Sequence, residues 1–254
     1  MPKLFISTPC FDAMMTMQYT LSLMRLMQLL QKCNIEYAVD FIGNESLIPR
    51  ARNNSLSRFI QSDFTHLLFI DSDIEFPAES VLELLKFDKD VVCGSYPKKG
   101  YNWKRFIHSL QTEPDSKESF DSRGLDFNYN IIYDDKNELI RDGDFIRVNH
   151  AATGFMMIKR EIIHKLCEKH TELDIISDSM SNSGGSIKGL FCCMIKNKVY
   201  LSEDYSFCER VNDIGGEVWI STSINLNHIG KHSFQSDISN RKQLIRTTAE
   251  KQFY

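Results

Sequence analysis

Short apolar runs alternating with stretches of helical spacing constrain this chain more than any other feature. Residues 3–7, 37–42 and 65–70 each carry a strand-like apolar run. Between them lies a segment, 16–33, whose apolar positions Met17, Leu21, Met24, Met27 and Leu30 recur at helical intervals, followed by a helix-forming stretch over 51–61. Strand and helix in alternation predict an α/β domain on a mostly parallel central sheet flanked by helices. The methionine-rich stripe of the first helix reads as core packing.

The pattern persists downstream. Pro77 followed by Glu79 suits the first turn of a helix running to about residue 87, because proline fits there and acidic side chains favour the N-terminal dipole. Residues 90–94, 151–158 and 217–220 read as strands, and 160–169 and 203–214 as helices, the last stopped by Gly215-Gly216. Residues 112–144 are polar and weakly periodic, and read as a long loop with one hairpin turning at 134–137. Residues 177–189 read as flexible and 238–251 as an amphipathic helix. No linker divides the chain, so residues 1–236 are expected to form one domain and 237–254 a helical tail.

Composition narrows the function. A net charge of −4 gives no general attraction for nucleic acid or anionic lipid, so an anionic ligand needs a locally positive site. LFISTPCFD is too short to be a secretory signal, and Arg25 and Gln28 interrupt MQYTLSLMRLMQLLQKC, so no transmembrane anchor is expected. Seven cysteines without a CxxC pair read as reduced thiols in a soluble, cytoplasmic protein.

The chemistry gathers at LLFIDSDIEF, residues 67–76. Asp71, Asp73 and Glu75 follow a buried run at a spacing that, in an extended chain, points all three the same way. Like charges so crowded repel unless a cation sits among them. Hard oxygen ligands without cysteine or paired histidine suit Mg²⁺ or Mn²⁺. A polar strand end, a phosphatase-type aspartate and a metal–diphosphate clamp all remain open at this point. An EF-hand is excluded by Phe76, where that loop needs glycine.

A second cluster, SEDYSFCERVNDIGGEVWISTSINLNHIGKHSF over 202–234, separates these readings. Its ED-x-x-FC-x-R string, glycine turn, short strand and H-x-G resemble the C-terminal half of inverting, family-2-like glycosyltransferases of the GT-A fold, a group that includes bacterial and viral rhamnosyltransferases. LLFIDSDIEFP resembles the DxD strand of that fold, and STPCFD resembles its first nucleotide-contacting loop. The resemblance implies a single Rossmann-like domain, with a donor half over about 1–110 and an acceptor half over about 145–236. It also implies a Mn²⁺ or Mg²⁺ ion held by Asp71, Asp73 and His228. Thr8, Pro9, Asp12, Arg52, Asn53 and Ser72, with Asp71 and Asp73, would contact the nucleotide-sugar donor, expected to be a UDP-sugar. Asp204, with Glu203 as the alternative, would be the general base. Thr153 and Gly154 would lie near the sugar and a glycan or other hydroxyl acceptor. Tyr101 and Trp103, in the cationic and aromatic stretch YPKKGYNWKRF, join them as candidates because aromatic faces stack on sugar rings. Ser206 departs from the family pattern, where many relatives carry a second acid. A nucleotide-sugar-forming nucleotidyltransferase and a non-catalytic carbohydrate-binding relative are the rival readings. The first lacks its usual glycine-rich phosphate loop here, and the second would not need Asp204.

Overall fold

The computed structural model describes residues 1–176 and 186–241. β1 (Lys3–Cys10), β2 (Glu36–Gly43) and β3 (His66–Ile70) are parallel, with β1 in the middle. The crossovers are α1 (Met17–Lys32), whose first turn is capped by Thr16 Oγ1 accepting from the Tyr19 amide, and α2 (Ile48–Gln61), which has Pro49 in its first turn. β4 (Ile74–Glu75), α3 (Glu79–Phe87), β5 (Val91–Gly94), β6 (Pro97–Tyr101) and α4 (Trp103–Thr112) follow. Next come β7 (Leu125–Phe127), β8 (Tyr129–Ile131), β9 (Arg141–Asp142), β10 (Phe145–Ala151), β11 (Phe155–Lys159) and α5 (Arg160–Lys169). The last part holds β12 (Asp174–Ile176), β13 (Ser186–Lys188), β14 (Met194–Lys196), β15 (Val199–Leu201), α6 (Glu203–Asp213), β16 (Val218–Ser221), β17 (Asn227–Ile229) and β18 (Ser233–Gln235).

One sheet carries the molecule, in the order β2-β1-β3-β11-β5-β16-β10-β8, with β9 beside β10. All its strands run one way except β10 and β11. Its middle strands are apolar throughout, as strands covered on both faces must be. Side-chain alternation divides the core accordingly. Phe69 joins Leu56 and Phe59 of α2, Ile162 and Leu166 of α5 and Phe207 of α6 on one face. Leu68 and Ile70 join Leu23, Leu26 and Leu30 of α1 and Val81 and Leu84 of α3 on the other. This is the α/β architecture that the strand–helix alternation predicts. Among the described residues no helix is long and apolar enough to cross a membrane.

Several details differ from the sequence expectation. The expected α1 stripe mostly faces outward: Met17, Leu21 and Met24 are exposed and only Leu30 of the stripe is buried, while the packed face is Tyr19, Leu23, Leu26 and Leu30. Both faces of α1 carry apolar residues, so periodicity alone does not choose the buried one. The expected single strand over 151–158 is two strands, β10 and β11, broken at Ala152-Thr153-Gly154. Residues 103–112, within and after the cationic stretch, form α4, capped by Asn102 Oδ1 accepting from the Arg105 amide. The polar region after it supplies three short strands besides the expected hairpin, which turns at Asn137 with φ 62° and closes through Tyr133 and Leu139. Of the segment expected to be flexible, Ser186–Lys188 is strand β13, paired with β12, and 177–185 lie outside the described residues. Ile238–Asn240 form a 3-10 turn, and the rest of the expected helical tail also lies outside them.

Candidate functional site

The carboxylates sit where β3 ends, and there the chain turns instead of continuing extended. The Ile74 amide donates to the Asp71 carbonyl at 3.1 Å, so Asp71 and Asp73 do not share one strand face. Three different segments pin the turn. The Asp71 amide donates to Gly154 O at 3.0 Å, Ser72 O accepts from the Thr16 amide at 2.9 Å, and Asp73 O accepts from the Ile229 amide at 2.8 Å. Glu75 turns away to accept from Asn227 Nδ2 at 2.9 Å. The turn removes the crowding predicted for a straight strand, and each aspartate faces its own cation.

Asp71 faces Arg52. The guanidinium, 3% exposed, donates from Nη2 to Asp71 Oδ1 at 2.8 Å and from Nε to Glu203 Oε1 at 3.5 Å, and it lies over the Phe69 ring. α2, the end of β3 and the start of α6 meet in this one group. Its remaining terminal nitrogen, Nη1, is buried without a hydrogen-bond partner among the described residues. Burial alone would lower the Arg52 pKa, but Asp71 and Glu203 outweigh it and hold the charge. Burial raises the Glu203 carboxyl above its ordinary range; Arg52 opposes this and Asp204 and Asp71 add to it.

Asp73 faces Lys99 and His228. Lys99 Nζ lies 2.5 Å from Oδ2, and His228 Nε2 lies 3.4 Å from Oδ1. Burial alone would raise the Asp73 carboxyl, but His228 and Lys99 bring it below the usual carboxylate range. The Pro97 carbonyl, 2.8 Å from His228 Nδ1, can only accept, so Nδ1 carries a proton. In the neutral ring Nε2 is then a lone pair, and it faces a carboxylate oxygen. A proton on Nε2 satisfies that pair, and a divalent cation could take the proton's place; tying the far nitrogen to a carbonyl orients a metal-ligating histidine in the usual way. Asp73 and His228 therefore fit a divalent ion. Asp71, the third predicted ligand, is engaged by Arg52 through Oδ1. Among the described residues no group of three or more acidic, histidine or cysteine side chains is arranged to hold a metal ion.

Asp204 is buried in the first turn of α6. Its Oδ1 accepts from the Ser202 hydroxyl and from the Tyr205 amide, and its Oδ2 accepts from Asn128 Nδ2 at 3.5 Å. Tyr205 OH, in turn, donates to Asn128 Oδ1 at 2.9 Å. Gly154 closes the space beside Asp71, where a Cβ would stand 2.6 Å from Asp71 Oδ2 and collide with the Tyr96 hydroxyl. Only glycine allows that approach. The Gly154 amide donates to Tyr96 OH at 3.0 Å, and burial pushes that phenol far above its usual range.

Other predicted positions lie farther from these carboxylates' partners. Thr8 is fully buried and shares a hydrogen bond with Tyr19 OH, 2.5 Å away; Pro9 is next to it on β1. Asp12 is exposed with φ 52°, beyond the strand end. Asn53 is buried, and its Oδ1 accepts from the Phe191 amide at 2.8 Å, which ties α2 to the loop between β13 and β14. Ser72 contributes its carbonyl to the start of α1. Thr153 is buried. Tyr101 and Trp103 stack with ring centroids 5.4 Å apart, and Trp103 is exposed. Ser206, where the resemblance leads one to expect an acid, donates to Leu201 O and accepts from the Met194 amide. Tyr96, Lys99 and Asn128 were not singled out by the sequence. The first two lay within its cationic and aromatic stretch, which was the available signal, and Asn128 had none.

No protein-family model and no curated protein matches the sequence. Among solved structures, the fold is similar to GalNAc-T7 with UDP, GalNAc and Mn²⁺, at 11% identity and TM-score 0.44 over 90% of this chain and 44% of that one. It is also similar to the catalytic domain of Drosophila β1,4-galactosyltransferase 7 in complex with xylobiose, at 14% identity and TM-score 0.41 over 98% and 76%. The inositol-1-phosphate CTP transferase of T. maritima is similar at 10% identity and TM-score 0.40 over 96% and 94%. The chain spans less than half the length of the first of these structures. At such scores none of the likenesses bears on activity.

Proposed function

We propose that this chain is a GT-A glycosyltransferase that moves a sugar from a nucleoside diphosphate donor, a UDP-sugar, to a hydroxyl acceptor with inversion. The observation that carries the reading is the facing pair of Asp73 Oδ1 and His228 Nε2, 3.4 Å apart, with Nδ1 committed to Pro97. Asp73 and His228 would hold Mn²⁺ or Mg²⁺, leaving most of its coordination to diphosphate oxygens and water. Bound there, the ion would offset the charge that develops on the leaving diphosphate. Asp71 positions Arg52, whose unpartnered Nη1 is a donor left for the nucleotide.

Asp204 acts as general base through Oδ2, whose contact with Asn128 is long. It takes the proton of the acceptor hydroxyl as that oxygen attacks the anomeric carbon. The bond from that carbon to the diphosphate oxygen breaks on the opposite face, and the nucleoside diphosphate leaves. A base so placed typically contributes ~10²–10⁴-fold. Glu203, raised by burial and braced by Arg52, is the alternative base.

Thermal melting against UDP, GDP, CDP and dTDP, each with and without Mn²⁺, tests the reading, since a ligand of the native state raises the melting temperature by mass action. The expected outcome is a shift with one diphosphate that needs Mn²⁺ and disappears in Asp73→Ala. Sugar transfer is expected to vanish in Asp204→Asn with binding retained. Melting that ignores every diphosphate would refute the site. So would turnover of a nucleoside triphosphate and a sugar phosphate with release of pyrophosphate, because that is nucleotidyl transfer.

A further inference from the structure

Lys99 reaches the aspartate by a route the chain has cleared for it. β6 passes beside β17, and the Lys99 stem lies across Gly230: a Cβ there would stand 3.3 Å from Lys99 Cδ and 3.7 Å from Cε. The ammonium ends 2.5 Å from Asp73 Oδ2, while His228 addresses the other oxygen, Oδ1. One carboxylate is thus shared by a flexible cation and by a histidine oriented as a ligand. The Lys99 and Asp73 side chains keep 37% and 30% exposure, so the ammonium has open space to move into. A lysine is a compact charge on a flexible four-carbon stem, suited to phosphate as a point charge.

We propose that Lys99 is a second cation of the diphosphate site, which rests on Asp73 when no donor is bound and passes to a phosphate oxygen of the donor when it binds. The proposal rests on the diphosphate reading above. Two consequences have opposite sign. Towards a divalent ion alone, Lys99 is a competitor, because like charges sharing one carboxylate repel. Towards a diphosphate, it is a partner, because it neutralises a phosphate oxygen. A lysine that only props up the fold would move both affinities the same way or neither.

The test uses the whole chain with Mn²⁺ alone and with inorganic pyrophosphate, which avoids any assumption about the nucleoside. Free Mn²⁺ is followed by its paramagnetic resonance signal, and pyrophosphate binding with Mn²⁺ present is followed by calorimetry. Wild type, Lys99→Met, Lys99→Arg and Asp73→Ala are compared, after melting shows each folded. In Lys99→Met, Mn²⁺ alone is expected to bind several-fold tighter and pyrophosphate roughly tenfold or more weaker, the scale of one lost charge-assisted hydrogen bond. Lys99→Arg is expected to recover pyrophosphate binding in part.

If Lys99→Met moves both affinities together or leaves both unchanged while Asp73→Ala abolishes binding, the Lys99 proposal fails and the diphosphate site stands. If wild type and Asp73→Ala bind Mn²⁺ with pyrophosphate equally, or neither binds it, the diphosphate site itself fails and the Lys99 proposal falls with it.

Discussion

Replacing Arg52 by methionine removes the one group that joins Asp71 to Glu203. The side chains are close in volume, so the change leaves little cavity and acts through charge. Taking one partner from a buried ion pair costs about 3–5 kcal/mol, because the other charge is left uncompensated. Here Asp71 and Glu203 keep 29% and 17% side-chain exposure, and water screens them in part, which places the loss near the lower end, at about 3 kcal/mol. For a chain of this size that is a fall of roughly 6–12 °C in melting temperature. The loss also has a pH signature. Glu203 already titrates above its ordinary value of 4.5 through burial, opposed by Arg52, and without Arg52 it rises further. A group whose folded pKa is raised favours folding fully below its unfolded value and loses that contribution as pH rises through the folded value. The Arg52→Met deficit is therefore greatest near neutrality and shrinks as pH falls towards the glutamate range. Urea unfolding of both proteins at about pH 7.5 and about pH 5 reads it directly. Equal deficits at the two pH values, or a deficit under about 1 kcal/mol at the higher one, would refute the bridging role. Arg52→Lys keeps the charge but not the fork that spans two carboxylates, and should fall between.

Two further substitutions test the walls of the site. Gly154→Ala drives a methyl group into Tyr96 and Asp71, and should cost about 1–3 kcal/mol in urea unfolding as overpacking does, with Mn²⁺-dependent diphosphate binding weakened as Asp71 shifts. Asn53→Ala strips the buried Phe191 amide of its acceptor and should cost about 1–3 kcal/mol, with faster amide exchange at Phe191 as the local readout.

What could be read from the sequence was governed by range. β1, β2, β3, β5, α1, α3, α5, α6 and β16 announce themselves in local periodicity and end signals, and each forms close to its expected position. β10 and β11 merged into one expected strand because AATGFMM is apolar across the break; Gly154 marks it only once Tyr96 and Asp71 are seen packed against it. The outward face of α1 reads as the core face because methionine and leucine occupy both faces. The site divides in the same way. Asp71, Asp73, Asp204 and His228 stand in recognisable strings, and Arg52 heads a helix whose direction follows from the alternation. Lys99 was one of four cations in its stretch. What distinguishes it is Gly230, far along the chain just after β17, and no spacing within YPKKGYNWKRF reveals that crossing. Asn128 is distinguished in the same way, by meeting Asp204 from the bend between β7 and β8, two strands the sequence did not announce.

The position of β11 in the sheet, between β3 and β5, governs how this molecule can be made. As the chain emerges from the ribosome, β3 and β5 are complete long before their shared neighbour exists. The roughly sixty residues between Gly94 and Phe155 take on the order of several seconds to add. Through that interval HLLFI and VVCG have no strand between them, and bare apolar edges of this kind invite pairing with other chains. The Asp71 amide waits for the same event, because its acceptor is Gly154 O. A product truncated before Gly154 would therefore lack both the strand that joins β3 to β5 and the carbonyl that holds the Asp71 amide.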